Sequence, residues 1–277
     1  MTILVTGATG NTGRHVVAEL LSKGEAVRAL SRDPRRAAEI LPAGAKLVAG
    51  THTEPGSLGA ALDGVTGLHI TVTAGVAETG PELVRRAVAA GVERITILWG
   101  GYVGPAETAV AESGVAWTRL EPQEFMSNAL TWRESIRTEA VVREPFDLPS
   151  AVVHEGDLGA VAALALTEEG HGGRAYNLNG PEALTTGDRV KLLAAALGRE
   201  IAFEQIGGAA AVERLLREGV SRADAEYVVG WHADPPEAAR IPDGTVGNLL
   251  GRPARTFGDW VTEHADRFRA GISPMSS

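Results

Sequence analysis

Apolar residues enter the first half of this chain in short runs separated by amphipathic stretches. The runs are Ile3–Val5, Val27–Leu30 within Glu25–Ser31, Lys46–Ala49, Gly67–Val72, Arg94–Leu98 and Ala116–Leu120. They are brief and nearly continuous rather than alternating, the pattern of strands covered on both faces. Between them, segments such as Arg14–Lys23 and Glu82–Ala90 repeat apolar residues at the spacing of one helix face. Strand and helix in alternation predict parallel strands joined by crossovers, a doubly wound α/β sheet of Rossmann type. Past Ser150 the rhythm changes. Isolated strand-like pieces at Ala151–Val153, Ala175–Leu178 and Ile201–Gln205 lie among helical segments at Asp157–Thr167, Gly187–Leu197 and Ala209–Glu218, with a closing helix over Phe257–Phe268. The pattern predicts a main domain over residues 1–150 and a smaller C-terminal α/β lobe over residues 151–277, packed on it as a single compact unit. Asp234–Pro236 and Ile241–Gly244 read as loops, and no internal repeat is present.

Between the first strand and the first helix lies Thr6-Gly7-Ala8-Thr9-Gly10-Asn11-Thr12-Gly13. Glycine at the first of these positions makes a tight turn, at the second lets backbone approach a pyrophosphate, and at the third permits close packing of helix on strand. Free N–H groups and the helix dipole then favour the anion. The loop is expected to hold a dinucleotide through Gly7, Thr9, Gly10, Asn11, Thr12 and Gly13. An acid at the end of the second strand would grip the ribose of NAD, and none is there. Arg28 and Arg32 flank that end instead, and a guanidinium can hold a 2′-phosphate bidentately, so NADP(H) is the expected cofactor. Arg32 is the preferred partner; Arg28 reads equally well as a solvated charge on the strand face. Asp33 is read as the cap of the next helix, with Pro34 at its first position. Ligands of such sheets sit beyond the carboxyl ends of the strands. Gly7–Gly13, Arg32, Gly50–His52, Thr73–Gly75 and Trp99–Tyr102 are therefore expected to converge, with Thr51 and Thr73 joining the cofactor site.

Composition narrows the class. The 277 residues are 44% hydrophobic, enough for a sizeable core. A formal charge of −9 argues against nucleic acid as the main partner and leaves a small-molecule substrate. The chain has no cysteine, which removes disulfides, thiolate catalysis and cysteine-bound metal. Met1 runs directly into the first strand, and no apolar run approaches the roughly 18 residues of a membrane helix, so a cytoplasmic protein without membrane contact is expected, as monomer or homodimer. The seven histidines, His15, His52, His69, His154, His171, His232 and His264, show no ligand spacing, and no G-x-S-x-G elbow is present. Asp157, in His154-Glu155-Gly156-Asp157, reads as the start or cap of a helix.

The chain resembles the NmrA-like branch of the atypical short-chain dehydrogenase/reductase superfamily. The glycine loop carries the likeness, with Val27-Arg28-Ala29-Leu30-Ser31-Arg32-Asp33-Pro34, Leu62-Asp63-Gly64-Val65, Ala89-Ala90-Gly91-Val92, Ser113-Gly114-Val115, Pro122-Gln123-Glu124-Phe125-Met126-Ser127-Asn128, Gly156-Asp157-Leu158 and Tyr176-Asn177-Leu178-Asn179-Gly180-Pro181. It covers nearly the whole chain and implies a Rossmann fold, NADP(H) and a reductase, an isomerase or a protein that binds NADP without turning it over. Two departures stand out. The family's common aspartate after Gly50 is replaced by Thr51-His52, which can still hydrogen-bond or simply form a surface loop. The strand ending at Leu98 leads into Trp99-Gly100-Gly101-Tyr102-Val103-Gly104-Pro105-Ala106, where Ala106 occupies the place of the family's lysine. The only lysines are Lys23, Lys46 and Lys191, so the resemblance supplies no Tyr-x-x-x-Lys pair.

Tyr102 is the best single proton donor on this reading, its alternative being a phenol that packs a loop. Glu107 and Glu124 are further acid/base candidates; Glu107 is expected on an exposed helix face, and Glu124 lies in a segment that the resemblance places at the substrate pocket. Asn128 there could orient a carbonyl. Trp99, Phe125 and Trp132 could wall a planar ligand, with Met126 more at home in the core. The reading that unites these residues is an NADPH-dependent oxidoreductase acting on a small cyclic or aromatic carbonyl or enone. A non-redox isomerase or cyclase on the same scaffold and an NADP-sensing regulator are the alternatives.

Overall fold

The computed structural model describes residues 1–71 and 73–269. Val72, expected to end the fourth strand, lies outside the described residues, as do residues 270–277 of the expected C-terminal lobe. The chain runs β1 (Thr2–Val5), α1 (Gly13–Ser22), β2 (Ala26–Ser31), α2 (Pro34–Ile40), β3 (Lys46–Ala49), α3 (Gly59–Leu62), β4 (Gly67–Ile70), α4 (Val76–Ala89), β5 (Arg94–Leu98), α5 (Pro105–Ala111) and β6 (Ala116–Pro122). It continues through α6 (Arg133–Glu139), β7 (Val141–Glu144), α7 (Glu155–Thr167), β8 (Arg174–Leu178), α8 (Thr186–Leu197), β9 (Ala202–Gln205), α9 (Gly208–Arg217), α10 (Arg222–Ala233), α11 (Glu237–Arg240), α12 (Thr245–Leu250) and α13 (Phe257–His264).

Seven strands form one sheet in the order β3-β2-β1-β4-β5-β6-β8, every neighbouring pair parallel. The crossovers cover both faces, which is why β1 is apolar after Thr2: Ile3, Leu4 and Val5 are all fully buried. Leu4, Leu68, Ile70, Ile95 and Ile97 pack on one face with Leu83 and Val84 of α4 and Val110 of α5. On the other, α1 lies against α7 so closely that a Cβ at Gly159 would stand 2.7 Å from the His15 backbone. The strand order reverses between β1 and β4, the switch point beyond whose carboxyl ends such sheets bind ligands.

The chain does not divide at residue 150. One unit comprises Met1–Pro122, Glu155–Leu178 and Thr245–Arg252; the other comprises Gln123–His154, Asn179–Gly244 and the chain from Pro253. The chain returns to the first unit after leaving it because β8 hydrogen-bonds along β6, from Thr118 opposite Arg174 to Pro122 opposite Leu178, while α7 packs on α1. Periodicity reveals that a segment is a strand but not which neighbour it pairs with. In the second unit β7 and β9 form a parallel pair, α8 leading directly into β9, over a core of Trp132, Ile136, Val142, Leu193, Phe257, Trp260 and Phe268. The expected strand at Ala151–Val153 is replaced by single bridges, Ser150 with Leu184 and Val153 with Phe125. Its three residues are buried, but their backbone partners are scattered: Ala151 N–H donates to Ala239 and Val153 N–H to Glu124. Strand β7 escaped notice because only two of its four residues are apolar. Among the described residues no helix is long and apolar enough to cross a membrane.

Candidate functional site

The glycine loop leaves β1 at Thr6 and enters α1 at Gly13, and Gly7 and Gly13 are required by what lies against them. Gly7 has φ of +57°, and a Cβ there would meet the Thr71 side chain at 2.9 Å. A Cβ at Gly13 would overlap the Gly7 carbonyl oxygen. Gly10 donates its N–H to that same oxygen at 2.9 Å, folding the loop back on itself, and its outer side is exposed. Thr12 stands at the N-cap of α1 without a capping hydrogen bond from its side chain, so no side-chain oxygen at that position competes for the first-turn N–H groups. Asn11, at the loop tip, donates to the buried Glu155 carboxylate of α7 at 3.3 Å and accepts from Arg14 at 3.4 Å. A turn that a side chain would fill, opening on a helix N-terminus, fits a dinucleotide pyrophosphate.

Arg28 of β2 and Arg32, one residue past its end, separate cleanly. Arg28 Nη1 donates to the carbonyl oxygens of Ala61 at 2.9 Å and Asp63 at 2.6 Å, closing the end of α3, and is not a solvated charge. Arg32 is exposed and, among the described residues, makes no hydrogen bond or ion pair. Asp33 caps α2 as expected, accepting from the N–H groups of Arg35 and Arg36 with Pro34 at the first turn. The strand ends meet in sequence. Gly50 N–H donates to Ser31 O at 3.0 Å, and His52 Nε2 lies 3.0 Å from Thr73 Oγ1. Thr51 is occupied locally with Thr53 at 2.9 Å, and Thr71 Oγ1 donates to Thr6 O at 3.0 Å. Of the expected cofactor set, Gly7–Gly13, Thr51 and Thr73 thus stand on connected strand ends, while Thr9 is half-buried in the loop.

Beyond β5, Trp99 is half-buried and Tyr102 is 63% exposed. The Tyr102 ring packs on Gly104, where a Cβ would come within 2.9 Å of it, and its hydroxyl has no partner among the described residues. Glu107 is not on an exposed face. It is buried, and its carboxylate accepts the Gly104 N–H at 3.1 Å, capping α5. A capping box is spent on structure. Ala106, at the family's lysine place, is fully buried, 2.5 Å from where a Cβ on Gly80 of α4 would lie.

The second unit holds a cavity of about 610 Å³. Asn128 and Trp132 line it, as expected, together with Phe146, Trp231 and His232; Phe125 is not among its lining residues, and Met126 is buried in the core. Trp132 donates its indole N–H to Glu144 at 2.7 Å, whose other oxygen is held by Arg214 at 2.8 Å. Glu124, 6% exposed, also lines the cavity. Its Oε1 accepts from Arg189 at 3.0 Å and its Oε2 from Ser150 at 2.5 Å. Burial by itself would raise the Glu124 carboxyl, but His232, Arg189 and Ser150 outweigh it and hold the group down at about 2. His232 Nδ1 lies 2.8 Å from Val228 O and its Nε2 lies 3.9 Å from Glu124 Oε1. Burial would depress the imidazole, and the neighbouring Glu124 carboxylate pulls it up instead. Arg189, Trp231 and His232 were missed by sequence reasoning: they sit on α8 and α10, far from Glu124 along the chain, with no spacing that marks them.

The NmrA-like family model matches residues 1–104. Along the whole chain the protein is 36% identical to a (4-alkanoyl-5-oxo-2,5-dihydrofuran-3-yl)methyl phosphate reductase of Streptomyces griseus subsp. griseus, covering 96% of this chain and 99% of the relative. It is 33% identical to an NAD(P)H azoreductase of Xenophilus azovorans, over 97% and 99% of the two chains. Among solved structures, an NADPH-dependent quinone oxidoreductase of Escherichia coli complexed with NADPH superposes with a TM-score of 0.79 at 24% identity, over 94% of this chain and 99% of that one. The glycine cradle on a parallel sheet and 36% identity over nearly all of a curated reductase place this protein in the NmrA-like branch of the atypical short-chain dehydrogenase/reductase superfamily.

Proposed function

We propose that this protein is an NADPH-dependent reductase of small, conjugated cyclic carbonyl compounds such as enones, butenolides and quinones. The observation that carries the substrate class is the cavity of the second unit, where Trp132, Trp231 and Phe146 form aromatic walls and Asn128 and His232 supply convergent polar groups. Of the relatives, one is named as the reductase of a dihydrofuranone phosphate, itself a cyclic carbonyl, while the other, an azoreductase, supports NAD(P)H-dependent reduction but not the carbonyl.

Gly7, Gly10 and Gly13 would hold the pyrophosphate, with Thr9, Asn11 and Thr12 around it. Arg32 would take the 2′-phosphate, and Thr51 and Thr73 would border the adenosine side. Bound there, NADPH supplies the hydride. The chain's own residues do the rest: they hold the ring, exclude water and deliver one proton. In the resemblance that proton comes from a tyrosine beside a lysine; here Tyr102 stands alone past β5 and is proposed as donor. Its exposed hydroxyl can be reprotonated from solvent. Tyr102→Phe is expected to lower kcat by about 10²–10⁴ with NADPH affinity unchanged. A fall of only a few-fold would make Tyr102 a packing residue.

The reading is tested by following NADPH absorbance with purified protein and three ligand groups: naphthoquinones, cyclic enones and the saturated ketone cyclohexanone. Oxidation with the first two and none with the third is expected. Conversion of an enone without NADPH consumption would replace the redox reading with isomerisation or cyclisation.

A further inference from the structure

Glu124 is a buried carboxylate whose two oxygens are fixed by Arg189 and Ser150, so it cannot reorient. It presents its charge to His232 across 3.9 Å, too far for a direct hydrogen bond and near enough for strong attraction. The other face of the imidazole is fixed as well. The Val228 carbonyl can only accept, so Nδ1 at 2.8 Å carries a hydrogen. A neutral imidazole would then present a bare acceptor at Nε2 to a carboxylate. The proton that Glu124 favours turns Nε2 into a donor whose hydrogen no atom of the described residues takes up at hydrogen-bond distance. His232 lines the cavity and is about 40% exposed, so this donor is open to a ligand. Aromatic rings stand around it in Trp132 and Trp231, the first with the Arg189 guanidinium 5.8 Å from its centre.

We propose that His232 determines specificity in this cavity by donating its Nε2–H to the carbonyl oxygen of a planar cyclic ligand, with Glu124 as the residue that positions it. The inference rests on the reductase reading of the cavity and deepens it. It states why a cyclic carbonyl should be chosen over an equally apolar ring without oxygen. Arg189 is the less accessible cation: it is 5% exposed, its Nε is enclosed and its Nη1 is committed to Glu124. Asn128, exposed at the rim, can meet a second oxygen without replacing the charged donor.

The test compares two ligands of one ring skeleton, 1-indanone and indane, on the full-length protein with NADP⁺ present so that no turnover intervenes. Binding is read by calorimetry. Wild type is expected to favour 1-indanone over indane by about tenfold or more, the range of a charge-assisted hydrogen bond. His232→Leu should abolish that preference while leaving indane affinity within about twofold, since the side chain is partly exposed and removes only the donor. His232→Gln, whose amide also donates, should restore part of it. An unchanged preference in His232→Leu overturns the role of His232 and leaves the cavity reading standing. If neither ring binds wild type, the cavity is not the substrate site and both readings fall together.

Discussion

A carbonyl oxygen explains why residue 13 is glycine: any Cβ there would overlap Gly7 O, so the loop closes only with a bare Cα at that place. Gly10 differs. Its Cβ position lies 3.0 Å from the same oxygen, tight but short of the overlap at residue 13, and on the exposed side of the loop, where a branched side chain would stand in the way of a bound phosphate. Gly10→Val is therefore expected to abolish dinucleotide binding in calorimetry while circular dichroism stays native; unchanged affinity would refute the cradle. Arg28 of β2 and Arg32 just past its end carry equal charge and opposite fates. Arg28 is used up on the carbonyls that end α3, whereas Arg32 remains free. Loss of one charge-assisted contact is worth roughly 1.5–3 kcal/mol, so Arg32→Ala should cut the preference for NADP over NAD about tenfold or more, and Arg28→Ala should cost stability instead. If Arg32→Ala keeps the wild-type preference in paired titrations, another group reads the phosphate.

Elements decide what a residue type alone leaves open. Position 106 aligns with a lysine in the resemblance, yet here it belongs to a face of α5 pressed against Gly80 of α4, with no solvent at all. Ala106→Lys should not rebuild a tyrosine–lysine pair. It would bury an ammonium among Val76, Leu83 and Val110, and a drop of several kcal/mol in urea unfolding is expected, without any gain in kcat. Wild-type stability in this variant would show that the helix swings out and exposes the site. Glu107 carries the same lesson. Its sequence neighbourhood is that of a surface helix, but the helix begins at Gly104 with no side chain to cap it, so the glutamate folds back to do so. Helix α7 was legible from Asp157 onward and in fact starts at Glu155; Asp157 lies in its first turn, buried and paired with Arg252 at 2.7 Å. Such a pairing joins residues 95 positions apart and leaves no periodic trace.

At the scale of the molecule, the buried ionisable groups predict how stability responds to acid. His69, wholly buried on β4 against Thr96 at 2.8 Å, is pushed from an ordinary 6.5 to about 4 by burial. Glu124 is held at about 2 against an ordinary 4.5. Both folded values lie below the unfolded ones, so each contribution is complete above the unfolded value and is lost as pH falls toward the folded one. Thermal midpoints should fall first between about 6.5 and 4 and then further between about 4.5 and 2. His232, whose value is raised, acts oppositely and contributes less on the alkaline side. His69→Gln should remove the first decline, and a curve identical to wild type would exclude His69 as its source. Glu124→Gln leaves the Arg189 guanidinium buried without its counter-charge, a loss of about 3–5 kcal/mol at neutral pH. What the sequence by itself determined is local. Short aliphatic runs, helical spacing and three glycines between a strand and a helix specify a parallel sheet with a glycine turn at the head of α1, because strand burial and turn geometry act on residues close along the chain. What only the tertiary structure decided is long-range: that β8 rejoins the sheet beside β6, that Arg28 is spent while Arg32 is free, and that Glu124, Arg189 and His232 meet at one cavity. Those residues lie on separate elements, and the backbone's path, which brings them together, is set by packing of whole helices and strands rather than by spacing between neighbours.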